Sequence, residues 1–261
     1  MRNMAYIGIT GIKTLAESDA LARMTRELDF PASHCLMVGG LASYKGLKLG
    51  YVSDPKQYVL PNELNRSFLR ADRLLNIVHY NSKIEGLSGQ LDELLEVVDR
   101  ADGVQLNIPW PQVSVIRRLR EASTTVILQI SSAASAMLEH DPDRIVDKLA
   151  GYEGLIDYVL IDPSGGVGLD FEPDYAAYVL AAFVTSGLSA NWGIAGGLGP
   201  GRLGVLELLL EIYPELSWDA QARLRTVEGT SLDLAACRQY LVEGVEILNK
   251  QPGRDSTLAS T

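Results

Sequence analysis

The sequence predicts a single (β/α)8 barrel, and three observations carry that prediction. Short apolar strands alternate with helix-length amphipathic segments eight times along the chain, with no composition break to mark a linker. A length of 261 residues at 47% hydrophobic content suits one large α/β domain, because barrels of this kind fold as single units at that size. Glycine-rich turns follow the sixth and seventh strands, on the side where barrels build their sites. The same alternation allows an open doubly wound sheet as the alternative.

Taken in order, Ala5 to Ile9 is a short apolar strand, and Thr14 to Leu28 a helix that Pro31 ends. Cys35 to Val38 is the second strand. The stretch 39–61, rich in Gly, Lys and Tyr, reads as a long loop, the kind that forms lids or binding loops. Its Lys45 and Lys48 are either contacts for an anionic substrate or solvated charges. A short helix over Asn62 to Asp72 precedes a third strand, Leu74 to Asn81. Leu91, Leu94, Leu95 and Val98 then mark one face of a helix. Gly103 to Asn107 is the fourth strand, with Val113, Ile116 and Leu119 on its helix. Thr125 to Ser131, rich in β-branched residues, reads as a strand buried on both faces. Asp141 caps a helix running to Leu149. Ile156 to Asp162 and Ala190 to Ala195 are strands six and seven, with helices over Asp174 to Ser186 and Pro200 to Ile212. Leu216 to Arg223 holds the eighth strand, and Leu232 to Asn249 the last helix. The barrel therefore spans 1–249, and the polar residues 250–261 read as a disordered tail.

Net charge is −10 and no Lys/Arg cluster forms a basic stripe, so nucleic acid and anionic membrane are excluded as partners. No apolar run reaches the roughly 18 residues of a membrane helix, and no signal-peptide core is present, which predicts a cytoplasmic protein. Cys35 and Cys237 lack any metal or CxxC spacing and read as buried small hydrophobes. No cofactor or metal motif is apparent.

Chemistry concentrates in the two glycine loops, Gly165 to Gly168 and Gly196 to Gly201. Paired glycines between a strand and a helix let main-chain N–H groups approach an anion unobstructed, and a helix N-terminus adds positive partial charge. A phosphorylated small molecule is the expected guest; tight turns are the alternative reading of the same glycines. Asp162 stands between a buried strand and such a loop. His79, at the end of the third strand, is either a proton acceptor or a hydrogen-bonded structural residue. Asn81, Gln105 and Asn107 lie at or near strand ends, suited to orienting a polar ligand or to bonding inside the barrel. His34 and His140 are peripheral.

These residues resemble the phosphoribosylanthranilate isomerase family, whose members are (β/α)8 barrels. Gly8-Ile9-Thr10 resembles the family's Cys-Gly-Ile-Thr, and Val104-Gln105-Leu106-Asn107 its Val-Gln-Leu-His. Leu160-Ile161-Asp162 with Gly165-Gly166-Val167-Gly168 and Phe171 resembles its Leu-Leu-Asp with Gly-Gly-Thr-Gly and Phe-Asp-Trp. Ala195-Gly196-Gly197-Leu198 with Pro200 resembles its phosphate loop. The resemblance implies an Amadori-type aldose–ketose isomerisation with Asp162 as general acid. It implies substrate contacts at Thr10, Gly166 and Gly168, and phosphate contacts at Gly196, Gly197 and Leu198. Three departures accompany it. Ile7 occupies the position of the family's catalytic cysteine, Asn107 replaces its histidine, and its eighth-strand Ser-Gly gives way near Asp219-Ala220-Gln221, where an anionic Asp219 would repel phosphate. The two functional readings are thus an isomerase-like enzyme, with His79 the candidate base, and a non-catalytic relative that binds a ligand or a partner protein. Oligomeric state is left open.

Overall fold

A computed structural model describes residues 4–162 and 173–251. Eight parallel strands close into a barrel in simple chain order, with the last strand pairing back onto the first. The elements are β1 (Ala5–Thr10), α1 (Leu15–Glu27), β2 (His34–Ser43), α2 (Tyr44–Leu49), α3 (Pro61–Ser67), β3 (Leu74–Asn81), α4 (Leu87–Val97), β4 (Gly103–Leu106), α5 (Val113–Glu121) and β5 (Thr125–Ser131). They continue with α6 (Ser132–Ala136), α7 (Pro142–Ala150), β6 (Tyr158–Asp162), α8 (Pro173–Ser186), β7 (Asn191–Ala195), α9 (Gly204–Ile212), β8 (Ser217–Ala220) and α10 (Leu234–Lys250). The barrel prediction holds, and the open-sheet alternative falls with the β1–β8 pairing. Asp141 caps α7 as expected, accepting from the N–H groups of Asp143 and Arg144, and Thr14 and Glu17 form a capping box on α1.

Strand parity organises two cores. Residues facing the helices, among them Ile7, Ile9, Leu36, Val38, Val104 and Trp218, pack with the helical Leu and Ile side chains into one cluster. Residues facing the axis, Tyr6, Cys35, Met37, Leu75, Ile77, Ile127, Tyr158, Leu160 and Ala195, form a smaller apolar plug. Followed toward the C-terminal ends of the strands, the axial positions turn polar: Thr10, His79, Gln105, Gln129, Asp162 and Asp219 are all buried there. That polar layer sits where barrels carry their sites.

Three expectations need correction. The stretch 39–61 is not one loop, because β2 stays paired with β3 as far as Ser43 and Asn81, and the Ser43 hydroxyl then caps α2; only 50–60 is irregular. Helix α9 begins at Gly204 rather than Pro200, because Gly201 has φ +71°, outside the helical region. β8 is only Ser217–Ala220, followed by a 3-10 turn at Ala222–Leu224. Residues 252–261 of the expected tail lie outside the described residues, and α10 itself runs to Lys250. No helix among the described residues is long and apolar enough to cross a membrane.

Candidate functional site

A solvent-open cleft lies at the C-terminal mouth, lined by His79, Gln105, Asn107, Gln129, Asp162, Gly196, Gly197, Leu198, Asp219 and Arg223, among others. The sequence singled out seven of these ten, and strands three, four, six and seven bring them together. Gly166 and Gly168 lie outside the described residues. Thr10 sits just beneath the cleft rather than on its wall. Asn81 is exposed at the rim, where its Nδ2 donates to the Tyr58 hydroxyl at 2.7 Å, so it fastens Tyr58 over the cleft instead of lining it. The segment carrying Gln57 and Tyr58 is held further by Lys13, whose Nζ donates to the carbonyls of Pro55 and Lys56 at 2.7 and 2.8 Å.

On the wall formed by β4, β5 and β6, amides run in a chain to the carboxylate. Gln129 Nε2 donates to Asp162 Oδ2 at 2.7 Å, Gln105 Nε2 donates to Gln129 Oε1 at 3.1 Å, and the same nitrogen reaches Asn107 Oδ1 at 3.3 Å. Opposite, Thr10 donates to both Asp219 oxygens at 3.0 Å each, and His79 Nε2 lies 3.2 Å from the Thr10 oxygen. Threonine has one hydroxyl hydrogen. Where that hydrogen points at an ionised Asp219, His79 donates through Nε2–H; where Asp219 is neutral and donates its own hydrogen to Thr10, the threonine donates to His79 Nε2 instead. Burial pushes the His79 pKa down to about 3, so it is a poor proton acceptor at neutral pH and the structural reading of this histidine is the better one.

Two strand glycines make room for this cluster. A Cβ at Gly39 would lie 2.5 Å from Thr10 Oγ1 and 2.7 Å from His79 Nε2, and one at Gly8 would lie 2.6 Å from Asp219 Oδ1. Gly39→Ala is therefore expected to cost about 1–3 kcal/mol through overpacking, read as a lowered urea midpoint with an unchanged slope. An unchanged midpoint would mean the cluster is loosely held.

The position of Ile7 is a correction. Its side chain is fully buried on the helix side, and its Cδ1 lies 3.3 Å from the Cβ that Gly244 of α10 would carry. Because strand side chains alternate, Gly8 and Thr10 face the mouth and Ile7 cannot. A cysteine at position 7 would sit under α10. The group that fills the space above β1 is instead the Asp219 carboxyl, arriving from the neighbouring β8.

Asp219 was expected to repel phosphate, and its surroundings oppose that. Burial pushes its pKa up to about 8; the Thr10 hydrogen bond resists the rise and the charge of Asp162 adds to it. At neutral pH the group is largely uncharged. Beyond β7, Gly196 and Gly197 have φ of +108° and +65°, the region that favours glycine. Gly196 directly follows the last β7–β8 pair, Ala195 with Asp219, and among the described residues no acceptor takes the N–H groups of Gly197 or Leu198. Arg223 supplies positive charge: its Nε donates to Gly197 O at 2.9 Å, and its stem packs where a Gly199 Cβ would be. Arg223 and Gln129 were missed by the sequence reading. Arg223 was legible only as a cation at the end of the expected eighth strand, beside the β7 loop once the barrel closes. Lys48 pairs with Glu93 on the surface, which favours its solvated reading, and His140 bonds Ser135.

Fold and site together define a (β/α)8 barrel with a polar cleft at its C-terminal mouth, holding two buried carboxyl groups beside a glycine loop. No protein-family model and no curated protein matches the chain. Among the described residues no three His, Cys, Asp or Glu side chains are grouped so as to hold a metal ion.

Proposed function

We propose that this barrel binds a phosphorylated sugar derivative and isomerises it by an Amadori-type proton transfer, as a diverged relative of the phosphoribosylanthranilate isomerases. The observation that carries the reading is the pair Asp162 and Asp219 in one cleft, next to the N–H groups of Gly197 and Leu198, which no described residue accepts. Two carboxyl groups in one cleft, one of them kept protonated near neutral pH by burial, are suited to acid and base roles. The resemblance casts Asp162 as the acid, whereas the electrostatics favour the reverse. Asp219, neutral near pH 7, protonates the ring oxygen as the C1–O bond breaks to give the open iminium. Asp162 takes the C2 proton, and the enaminol that results tautomerises to the aminoketose. Phosphate lies against Gly196, Gly197 and Leu198 with Arg223 nearby, anchoring the substrate.

Melting curves with inorganic phosphate test the anchor. A ligand at a hundred times its Kd stabilises by about 2.7 kcal/mol, and Arg223→Ala should reduce that shift. No shift with inorganic phosphate or ribose 5-phosphate would remove this function. The non-catalytic alternative predicts binding without any exchange of the C2 proton.

A further inference from the structure

We infer that the half of the cleft away from the glycine loop takes an uncharged group bearing hydrogen-bond donors, so that the ligand is a phosphate monoester with no second anionic end. The inference rests on the phosphate reading above and narrows its substrate class. The first support is the composition of the far wall. Gln57, Tyr58, Gln105, Asn107 and Gln129 are polar and uncharged, His79 is neutral, and the cation lining the cleft, Arg223, stands at the phosphate end. The sequence between Asp162 and Pro173 contains no lysine or arginine. At the rim, Lys48 is paired with Glu93 and Lys83 lies over the Tyr44 ring. A carboxylate at this end would meet Asp162 and an amide wall, with no cation among the described residues of that wall to compensate it.

The second support is the orientation of the amide chain. Asp162 offers only acceptor oxygens as a carboxylate, so Gln129 must turn its NH₂ toward it and its Oε1 toward Gln105. Gln105 must then present its own NH₂ to Gln129, which leaves Gln105 Oε1 over. That oxygen is buried and, among the described residues, has no hydrogen-bond partner, although Gln105 lines the cleft and is only 2% exposed. A buried acceptor without a donor is costly, and a ligand hydroxyl or N–H relieves it. Because its orientation is dictated from Asp162, Gln105 cannot flip to welcome an acceptor without breaking the chain.

Titration calorimetry on the full chain tests this with inorganic phosphate, ribitol 5-phosphate and 5-phosphoribonate, the last two differing in a hydroxymethyl against a carboxylate at the far end. Ribitol 5-phosphate should bind more tightly than phosphate, and the ribonate about ten-fold or more weakly than ribitol 5-phosphate, as like charges brought together demand. Gln105→Met should weaken ribitol 5-phosphate while leaving inorganic phosphate unchanged, and the retained phosphate binding shows that the variant folds. Equal or tighter binding of the ribonate overturns this inference and leaves the phosphate reading standing, as does ribitol 5-phosphate binding no better than phosphate. Failure of all three ligands removes both.

Discussion

Asp162→Asn is expected to keep phosphate-dependent stabilisation and to lower the exchange of the ribose 5-phosphate C2 proton with solvent deuterium by about 10²–10⁴-fold, the usual loss when one acid–base partner is removed. Asparagine keeps the shape of the side chain and an oxygen that can accept from Gln129 Nε2, so the amide wall survives and only the proton acceptor is lost. The comparison separates chemistry from folding: a variant that binds phosphate normally and exchanges at the wild-type rate would take Asp162 out of the reaction. Exchange by the wild type should decline above about pH 8, as Asp219 loses its proton.

The second large effect is on stability against pH. Burial raises the pKa of Asp219 in the folded protein to about 8, from the ordinary carboxylate value of 3.8. Between those values the folded state holds a proton that the unfolded chain has released, so stability is greatest at low pH and falls as pH rises through the folded value. From pH 7 to 8.5 the loss should be roughly 1 kcal/mol, because a full proton's difference between the two states changes stability by about 1.36 kcal/mol for every step of one in pH. His79 works in the opposite sense. Its folded pKa of about 3, against 6.5, makes stability rise with pH over that lower window, which is why the measurement belongs above pH 7. Asp219→Asn carries no proton to lose, so its urea-derived stability should be flat over pH 7–8.5. A wild-type curve equally flat would mean that Asp219 is already ionised in the folded protein, and its role as proton donor would fall.

Much of the fold was legible because it is local. Leu91, Leu94 and Val98 repeat at helical spacing, Thr125 to Ser131 is rich in β-branched residues, and Asp141 sits where a cap belongs; each signal needs only its neighbours in the chain. Gly196 and Gly197 could be named for the same reason, since positive φ is a demand made on single residues. Asp162, at the last residue of β6 with a glycine loop beyond it, was visible from its position too.

The face each strand turns inward was not legible. β1 is buried on both sides, so its apolar pattern fits either parity, and a shift of one residue moves Ile7 from the mouth to the helices. Nor could the sequence bring Thr10, His79 and Asp219 together from β1, β3 and β8, or set Arg223 against Gly197, because those meetings exist only once β8 closes on β1. The sequence alone determined which residues are strands, helices and glycine turns, as periodicity and backbone preference are properties of short stretches. Only the tertiary structure decided which carboxyl group shares a cleft with Asp162 and which glycines leave space for it, because both depend on the register of strands far apart in the chain.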